Sequence, residues 1–208
     1  MSVRDDVLAF LRDPAAFIAT AADPHQWLDG LAAASSAGGA HGLRPAQEAA
    51  WRGLADQRAG LILGPPGTGK THLLSSMIAG YGAARRRSGR PTRVLVTAFT
   101  RNAIGNVLDA VVARQVAHDP GGAALIYFGD PPEAGLAAGV AHLERKEAHA
   151  VVRDLASGNA VVGMTVWSLH RLLAQGAPPG GDRMTAPLFD LVCVDEASQV
   201  VLGHGLMA

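Results

Sequence analysis

Eight consecutive residues constrain the fold of this chain more than any other stretch. Residues 64–71 read Gly-Pro-Pro-Gly-Thr-Gly-Lys-Thr and match every position of the pattern G-x-x-x-x-G-K-[ST]. Glycines at these positions let the backbone approach phosphate oxygens, and a helix that begins there points its first N–H groups at the anion. An apolar run at 60–63 predicts a strand before the loop, and residues 70–84 predict a helix after it. The segment therefore predicts a strand–loop–helix unit that binds phosphate.

The chemistry of this loop suits ATP together with Mg²⁺. Lys70 is expected to reach the β- and γ-phosphates as a catalytic residue, and Thr71 is expected to offer its hydroxyl to the metal ion. A chance glycine-rich turn is the alternative, but the strand–loop–helix context favours the functional interpretation. The candidate cofactor-binding residues of the loop are Gly64, Pro65, Pro66, Gly67, Thr68, Gly69, Lys70 and Thr71.

Two adjacent carboxylates, Asp195 and Glu196, follow a second apolar run at 189–194. The carboxyl ends of parallel strands are where open α/β sheets bind ligands. Asp195 is therefore a candidate catalytic residue and magnesium ligand, and Glu196 is a candidate base that polarises the attacking water. A solvated acidic pair in a loop is the alternative interpretation.

Strand-like and helix-like runs alternate from residue 60 onward. The predicted strands are 60–63, 94–98, 124–128, 160–165 and 189–194, and the predicted helices are 70–84, 102–116, 132–156 and 166–174. This alternation predicts an α/β fold with a doubly wound parallel sheet and helices on both faces. Residues 1–40 are predicted to form short helices and a small-residue linker, with a helix starting near Pro45. The predicted domains are accordingly 1–40 and 41–208.

Composition excludes several classes of protein. The formal net charge is zero and the sequence pI is about 7.1, so the basic excess of many nucleic-acid binders is absent. Cys193 is the only cysteine, which rules out an internal disulfide and favours a reducing compartment. No apolar run reaches the roughly 18 residues of a membrane span, and no secretory signal is visible, so a cytoplasmic location and no membrane contact are expected. The histidines show no metal-ligand spacing.

Some residues are expected to have structural roles only. Cys193, Trp51 and Trp167 are predicted to pack in the interior, because they lie in apolar or helical patterns. The arginines between 85 and 93 are predicted to form a solvated helix end more readily than a phosphate-binding patch.

Four segments together resemble a known family. Residues 195–199, Asp-Glu-Ala-Ser-Gln, resemble motif II of superfamily 1 helicases, particularly the group with the nonsense-mediated-decay helicase and the Okazaki-fragment nuclease-helicase. Residues 43–50 resemble the adenine-reading glutamine motif of that family, residues 94–108 resemble its motif Ia, and residues 161–165 resemble its motif Ic. The resemblance covers about residues 43–199.

The resemblance implies a RecA-like fold and further site residues. Gln47 would read adenine and Gln199 would belong to the nucleotide site, although a glutamine on a helix surface is more often only solvated. Strand and helix ends at Thr100, Asn102 and Thr165 would contact single-stranded nucleic acid, DNA or RNA. Thr100 or Asn102 could instead serve as a helix N-cap.

The family also implies a second RecA-like domain with arginine fingers. None is present within these 208 residues, so we expect the chain to be a piece of a longer protein and to hydrolyse ATP slowly by itself. Two other functions stay open. One is an AAA+-type ATPase, and the other is a non-catalytic ATP-dependent binding module whose residues 1–33 recruit a partner.

Overall fold

The computed structural model describes residues 12–19, 24–35, 42–118, 121–175 and 188–199. They belong to two compact units, one within residues 1–88 and the other within residues 89–208. The expectations for the first eleven residues and for most of the linker lie outside the described residues.

The first unit contains four described helices: α1, Pro14–Ala19; α2, Pro24–Ser35; α3, Pro45–Arg52; and α4, Lys70–Arg87. The first three begin at a proline, whose fixed φ suits a first helical turn and whose missing N–H has no partner to lose there. The predicted start near Pro45 is confirmed. The helix after the phosphate-binding loop is also confirmed, and it runs three residues past the predicted end.

Helices α2 and α4 pack closely because two glycines face each other. A Cβ atom placed on Gly80 would lie 2.5 Å from the carbonyl oxygen of Gly30, so neither helix has room for a side chain at this crossing. The Trp27 indole N–H donates to the Trp51 carbonyl oxygen at 3.2 Å beside the crossing. The buried residues of this small core are Leu31, Trp51, Leu73 and Met77.

The arginines at the end of α4 contact α2. Arg85 donates to the Gln26 side chain at 3.2 Å and to the Tyr81 hydroxyl at 3.1 Å, and Arg87 donates to the Asp29 carbonyl oxygen at 3.4 Å. Cations in a last helical turn also interact favourably with the helix dipole. These contacts fit the structural interpretation of the arginine run.

The second unit alternates strands and helices. Its strands are β1, Thr92–Ala98; β2, Ala124–Phe128; β3, Val140–Leu143; β4, Asn159–Gly163; and β5, Leu191–Asp195. Its helices are α5, Arg101–His118; α6, Ala148–Ser157; and α7, Val166–Gln175, with short 3₁₀ turns at Arg145–Glu147 and Ala197–Gln199.

The five strands form one parallel sheet in the order β3-β2-β4-β1-β5. Leu95 in the middle of β1 pairs with Val162 of β4 on one side and with Val192 of β5 on the other. Strands buried on both faces read as continuous apolar runs, which is the pattern that β1, β2 and β4 show. The predicted α/β class with a parallel sheet is therefore confirmed, and it is consistent with a RecA-like P-loop fold.

The strand predicted at 60–63 is wrong. These residues belong to no helix or strand and have no strand partner among the described residues, and Leu61 and Leu63 are 69% and 84% exposed. Ile62 alone packs against the core around Trp51. An apolar run becomes a strand only when a neighbouring strand supplies hydrogen bonds, and every described strand pairing lies between residues 92 and 195.

The helix predicted at 132–156 is wrong in its first half. Residues 131–139 form a loop, in which Gly135 and Gly139 have φ of +81° and +101° and so interrupt any helix. The chain then forms β3, which pairs in parallel with β2, before α6 begins at Ala148. The stretch 132–156 therefore contains the strand β3, which the helical spacing of its apolar residues did not predict.

Candidate nucleotide-binding loop and strand-edge pocket

The phosphate-binding loop depends on two glycines with left-handed backbone conformations. Gly67 has φ +80°, and Gly69, directly before α4, has φ +82°. A Cβ atom on Gly69 would lie 2.8 Å from the Gln47 amide nitrogen, whereas one on Gly67 would meet nothing within 4 Å. The turn therefore requires glycine at both positions for conformational reasons and at Gly69 also for space.

The Lys70 ammonium lies across the loop. It donates to the carbonyl oxygen of Gly64 at 2.7 Å and to that of Pro65 at 3.1 Å, and the Thr68 hydroxyl donates to the same Pro65 oxygen at 2.8 Å. An ammonium has three N–H donors, so the positive charge of Lys70 is held at the loop by two of them. Thr71, the next residue of α4, is half-buried.

Gln47 is fixed against the loop by both ends of its amide. Its oxygen accepts the backbone N–H of Arg44 at 2.9 Å, and its nitrogen donates to the Gly69 carbonyl oxygen at 3.1 Å. The side chain is buried, so the alternative of a solvated surface glutamine is wrong. A primary amide carries two N–H donors and two acceptor lone pairs, which leaves one of each for a further partner.

The donor set of this region fits ATP and Mg²⁺. Backbone N–H groups at the start of an 18-residue helix, a lysine ammonium and a threonine hydroxyl are the groups that recur around a bound triphosphate. The loop, Lys70, Thr71 and Gln47 all lie in the first unit and are brought together there.

Asp195 and Glu196 occupy the end of β5 in the second unit. Asp195 pairs in register with Ala98, the last residue of β1, and one of its carboxylate oxygens accepts the Glu196 N–H at 2.9 Å. Glu196 is exposed and has φ +51°, and no other non-glycine residue in the described parts of the chain has a positive φ. Gln199 closes the following turn by donating its backbone N–H to the Glu196 carbonyl oxygen at 2.9 Å.

The three residues predicted to contact nucleic acid meet at one cavity of about 540 Å³ in the second unit. We call it the strand-edge pocket, because its walls follow the carboxyl ends of β1, β2 and β4. Thr100, Asn102 and Thr165 all line it, together with the aromatic residues Phe99 and Trp167. Its charged lining residues are Arg101, Asp130, Glu133 and Arg145.

Both threonines of the pocket are helix caps. The Thr100 hydroxyl oxygen accepts the Ala103 N–H at 3.2 Å at the start of α5, and the Thr165 hydroxyl oxygen accepts the Ser168 N–H at 3.2 Å at the start of α7. The N-cap alternative is therefore correct for Thr100. Asn102 lies within α5 with its side chain exposed.

Sequence reasoning missed the two aromatic residues of the pocket. Trp167 is 67% exposed and Phe99 is 61% exposed, so the prediction that Trp167 packs in the interior is wrong. Helix α7 buries Leu169 and Leu172 on its inner face, which leaves Trp167 on the outer one. Trp51, by contrast, is completely buried as predicted. The missed signal is position in the sequence: Phe99 directly precedes the cap residue Thr100, and Trp167 follows the cap residue Thr165 by two positions.

Charged groups in the pocket are largely paired. Arg145 forms an ion pair with Asp130, and Arg101 donates to the Pro131 carbonyl oxygen at 3.4 Å. The nearby Tyr127 hydroxyl is buried without a hydrogen-bond partner. Burial raises the pKa of Tyr127 to about 12, with Arg101 lowering and Asp130 raising it by smaller amounts.

Two other expectations concern residues outside these sites. Cys193 is buried as predicted, and burial raises the pKa of its thiol to about 12, which argues against a nucleophilic role. The described residues contain no group of three histidine, cysteine or acidic side chains placed to hold a metal ion by themselves. None of the described helices is long and apolar enough to cross a membrane.

Residues 42–131 match the family model of an AAA domain. This is a P-loop nucleoside-triphosphatase family associated with superfamily 1 helicases. The match begins just before α3 and ends after β2, so it includes Gln47, the whole phosphate-binding loop and all of α5, but neither Asp195 nor Glu196. No curated protein and no solved structure matches the chain at a significant level.

Proposed function

We propose that this chain binds ATP with Mg²⁺ and hydrolyses it as the first motor domain of a superfamily 1 helicase that acts on single-stranded nucleic acid. The observation that carries the proposal is the loop itself. Two left-handed glycines shape it, Lys70 lies across it, and the buried amide of Gln47 is bonded to Gly69. An AAA-domain match over the same residues supports nucleotide binding.

Each site residue has a role in this proposal. The loop backbone and Lys70 would hold the phosphates, and Gln47 would use its remaining donor and acceptor for adenine. Thr71 in the first unit and Asp195 in the second are each proposed as ligands of the metal ion, which would neutralise phosphate charge, and Gln199 is proposed as a nucleotide-binding residue. Glu196 accepts a proton from the attacking water. Thr100, Asn102 and Thr165 line the path of the nucleic acid.

A second RecA-like domain is part of the proposal. An arginine finger from such a domain raises the rate of phosphoryl transfer by roughly 10³–10⁵. We therefore expect these 208 residues by themselves to bind nucleotide and to turn it over slowly, without unwinding a duplex.

Nucleotide binding is tested with a fluorescent ATP analogue and Mg²⁺, titrated into the wild-type chain, Lys70→Ala and Lys146→Ala. Lys70 and Lys146 are the two lysines of the chain, and Lys146 is exposed and paired with Glu144, so it is a matched control for loss of a lysine charge. We expect Lys70→Ala to weaken binding by about tenfold or more, because a charge-assisted hydrogen bond contributes roughly 1.5–3 kcal/mol. Equal affinity of all three proteins would refute nucleotide binding at this loop.

Hydrolysis is tested separately with Glu196→Gln. Loss of a general base lowers turnover by about 10²–10⁴ while nucleotide binding is retained. If the wild type binds ATP but its single-turnover rate equals that of Glu196→Gln, the chain is a binding module and not an enzyme. The AAA+-type alternative predicts that nucleotide drives assembly into hexamers, which sedimentation velocity experiments would detect.

A further inference from the structure

Strand β5 carries Asp195 and leads directly to Glu196, and it lies at the edge of the described sheet. It pairs with β1 over Leu191–Asp195, and no other described strand pairs with it. A strand that slips along its neighbour by one residue moves each of its side chains to the opposite face of the sheet. Such a slip also shifts the strand by about 3.3 Å. The register of β5 therefore determines where the two candidate catalytic carboxylates lie.

The apolar residues of β5 do not select one register. Residues 191–194 read Leu-Val-Cys-Val, so a slip of one residue exchanges apolar side chains for other apolar side chains on both faces. Cys193 is the one buried residue among these four, and Val192 is 40% exposed. Register is specified weakly where the side-chain pattern does not distinguish the two faces of a strand. Another interaction is therefore needed to align β5 with β1.

Four hydrogen bonds join Arg93 of β1 to Asp190, the residue just before β5. Asp190 Oδ2 accepts the backbone N–H and the Nε–H of Arg93, both at 3.0 Å, and Oδ1 accepts an Nη2 N–H at 2.9 Å. The Asp190 N–H donates to the Arg93 carbonyl oxygen at 2.7 Å. The next residues, Val94 and Leu191, are the first pair of the β1–β5 register. A slip of one residue would displace Asp190 by about 3.3 Å along β1 and break this two-pronged contact.

The Arg93–Asp190 pair is also shielded from water. The two side chains are 25% and 14% exposed, and the guanidinium binds both carboxylate oxygens. By contrast, Arg153 and Asp154 of the same unit approach only to 3.5 Å, with side chains that are 76% and 37% exposed. Exposed ion pairs of the second kind contribute little to structure, whereas a bidentate arginine–carboxylate pair adds geometric specificity.

We infer that the Arg93–Asp190 pair fixes the register of β5 and so positions Asp195 and Glu196, an inference whose catalytic part rests on the proposed function. Neither residue of the pair touches the substrate. The pair acts from one end of β5 on the carboxylates at the other end, where Asp195 is aligned with Ala98 of β1. A misplacement of about 1 Å in a catalytic geometry can lower a rate by roughly 100-fold, so a slip of one residue is enough to remove activity.

The register is tested by alkylation of Cys193 with iodoacetamide in the folded full chain, followed by mass spectrometry. Cys193 is the only cysteine and is buried, so the wild type should react slowly. In Asp190→Ala a slip moves the thiol to the face that Val192 now occupies, and labelling should become faster by about tenfold or more. Asp154→Ala is the matched control, because it removes a carboxylate from an exposed ion pair of the same unit. It should label at the wild-type rate.

A second reporter separates a slipped strand from a loosened one. In Val192→Cys/Cys193→Val the thiol lies at the exposed position and should react rapidly. Adding Asp190→Ala moves this thiol to the buried face, so its labelling should become slower by about tenfold. Unfolding or fraying accelerates the labelling of a thiol at either position. Opposite changes at positions 192 and 193 are therefore specific to a change of register.

ATP hydrolysis tests the positioning role. In Asp190→Ala the single-turnover rate should fall by about 100-fold, while the affinity for a fluorescent ATP analogue should stay within about threefold of the wild type. The affinity is retained because Lys70 and the phosphate-binding loop are not part of β5. Asp190→Asn keeps an oxygen that can accept the Arg93 N–H, so it should recover part of the rate and part of the thiol protection. If Asp190→Ala does not fold in a thermal melt, Asp190→Asn takes its place in every measurement.

The outcomes distinguish this inference from the function on which it rests. If the wild type hydrolyses no ATP, the proposed function fails, and the two thiol reporters still decide whether the pair fixes the register. Unchanged labelling of both thiols would overturn the inference and assign the register to Leu188 and Phe189, which pack against the core just before β5. Faster labelling of both would also overturn it, because β5 would then have loosened and not slipped. A slipped strand with wild-type turnover would overturn the positioning role alone.

Discussion

Two turns of this chain contain residues in the left-handed backbone conformation, which is sterically unfavourable for residues with a Cβ atom. One turn uses glycine at these positions, and the other uses a glutamate. In the phosphate-binding loop, Gly67 and Gly69 adopt φ of +80° and +82° as glycines, at little conformational cost in the folded state. After β5, Glu196 adopts φ +51° with its side chain retained. A left-handed conformation costs a residue with a Cβ atom roughly 1–2 kcal/mol.

The two turns differ because the phosphate-binding loop acts through its backbone, whereas the turn after β5 acts through the side chain of Glu196. A loop that presents N–H groups to an anion needs only the path of its main chain, so glycine is the best residue for its tight positions. A turn that presents a carboxylate cannot use glycine, and the chain accepts strain to place Glu196. The proposed roles of the two turns, phosphate binding and water activation, follow this division.

The largest expected effect on nucleotide affinity comes from adding one methyl group to the phosphate-binding loop. In Gly69→Ala the new Cβ either keeps the left-handed turn and displaces the Gln47 amide, or changes the turn and misdirects the first N–H groups of α4. We expect the affinity for an ATP analogue to fall by about 100-fold, equivalent to roughly 2.7 kcal/mol. Gly89→Ala is the control, because Gly89 also has a positive φ, +65°, but faces open space. Similar affinities of Gly69→Ala and Gly89→Ala for the ATP analogue would contradict the claim that the phosphate-binding loop requires glycine at position 69.

A glycine that only leaves space for close helix packing should affect stability and not the phosphate-binding loop. Gly80 lies within α4, where alanine has the higher helix propensity, but its Cβ would meet the Gly30 carbonyl oxygen at 2.5 Å and Trp51 at 2.8 Å. We expect Gly80→Ala to lower the free energy of unfolding by about 2 kcal/mol through overpacking. Denaturant unfolding measures this. Gly121→Ala, where nothing lies within 4 Å, should change stability little, and a stabilised Gly80→Ala would contradict the close packing of α2 on α4.

The same division explains how much of the molecule could be predicted from its sequence. The phosphate-binding loop could be located because its function requires particular residues at consecutive positions. Four of the predicted strands and the parallel sheet could be predicted because fully buried strands are continuous apolar runs. The acidic pair was placed correctly at the end of β5 for the same reason.

The remaining features depend on contacts between distant segments. Residues 60–63 have the composition of a strand, but no pairing partner is found among the described residues, and β3 forms only because β2 offers it an edge. The strand-edge pocket joins residues near 100, 130, 145 and 165, which only the strand order brings together. Trp167 could not be assigned for this reason. Helical spacing shows that a residue lies in a helix, but a single residue does not show which face it occupies.

Relaxing the strained turn should stabilise the protein and remove its activity. In Glu196→Gly the positive φ no longer carries a steric cost, so we expect the free energy of unfolding to rise by about 1 kcal/mol while ATP turnover is lost. Glu196→Ala removes the carboxylate but keeps the Cβ, so it should lose turnover without gaining stability. The two variants measured side by side by thermal or denaturant unfolding isolate the backbone contribution. Equal stability of both would mean that the turn is not strained.

The smallest expected effect concerns a buried hydroxyl beside the strand-edge pocket. The two tyrosines of the chain differ in the hydrogen bonding of their hydroxyl groups. The Tyr81 hydroxyl accepts a hydrogen bond from Arg85 at 3.1 Å, whereas the Tyr127 hydroxyl is buried without a partner. A buried polar group without a hydrogen bond costs roughly 1–3 kcal/mol. We therefore expect Tyr127→Phe to be neutral or to stabilise the protein by up to about 1 kcal/mol, and Tyr81→Phe to destabilise it by a similar amount.

Alkaline pH should sharpen this contrast. The pKa of Tyr127 is raised to about 12 in the folded protein, whereas the pKa of a tyrosine in the unfolded chain is about 10. Between these values the unfolded state releases the phenolic proton and the folded state keeps it, so this contribution to stability is complete below pH 10 and is lost as the pH rises toward 12.

Wild type should therefore lose more stability than Tyr127→Phe over that interval. The buried Cys193 thiol, whose pKa is also raised, adds the same alkaline loss to both proteins and cancels in the comparison. Parallel stability curves for the two proteins would place the Tyr127 hydroxyl in contact with water, and the pocket would then reach deeper into the sheet than its lining residues indicate.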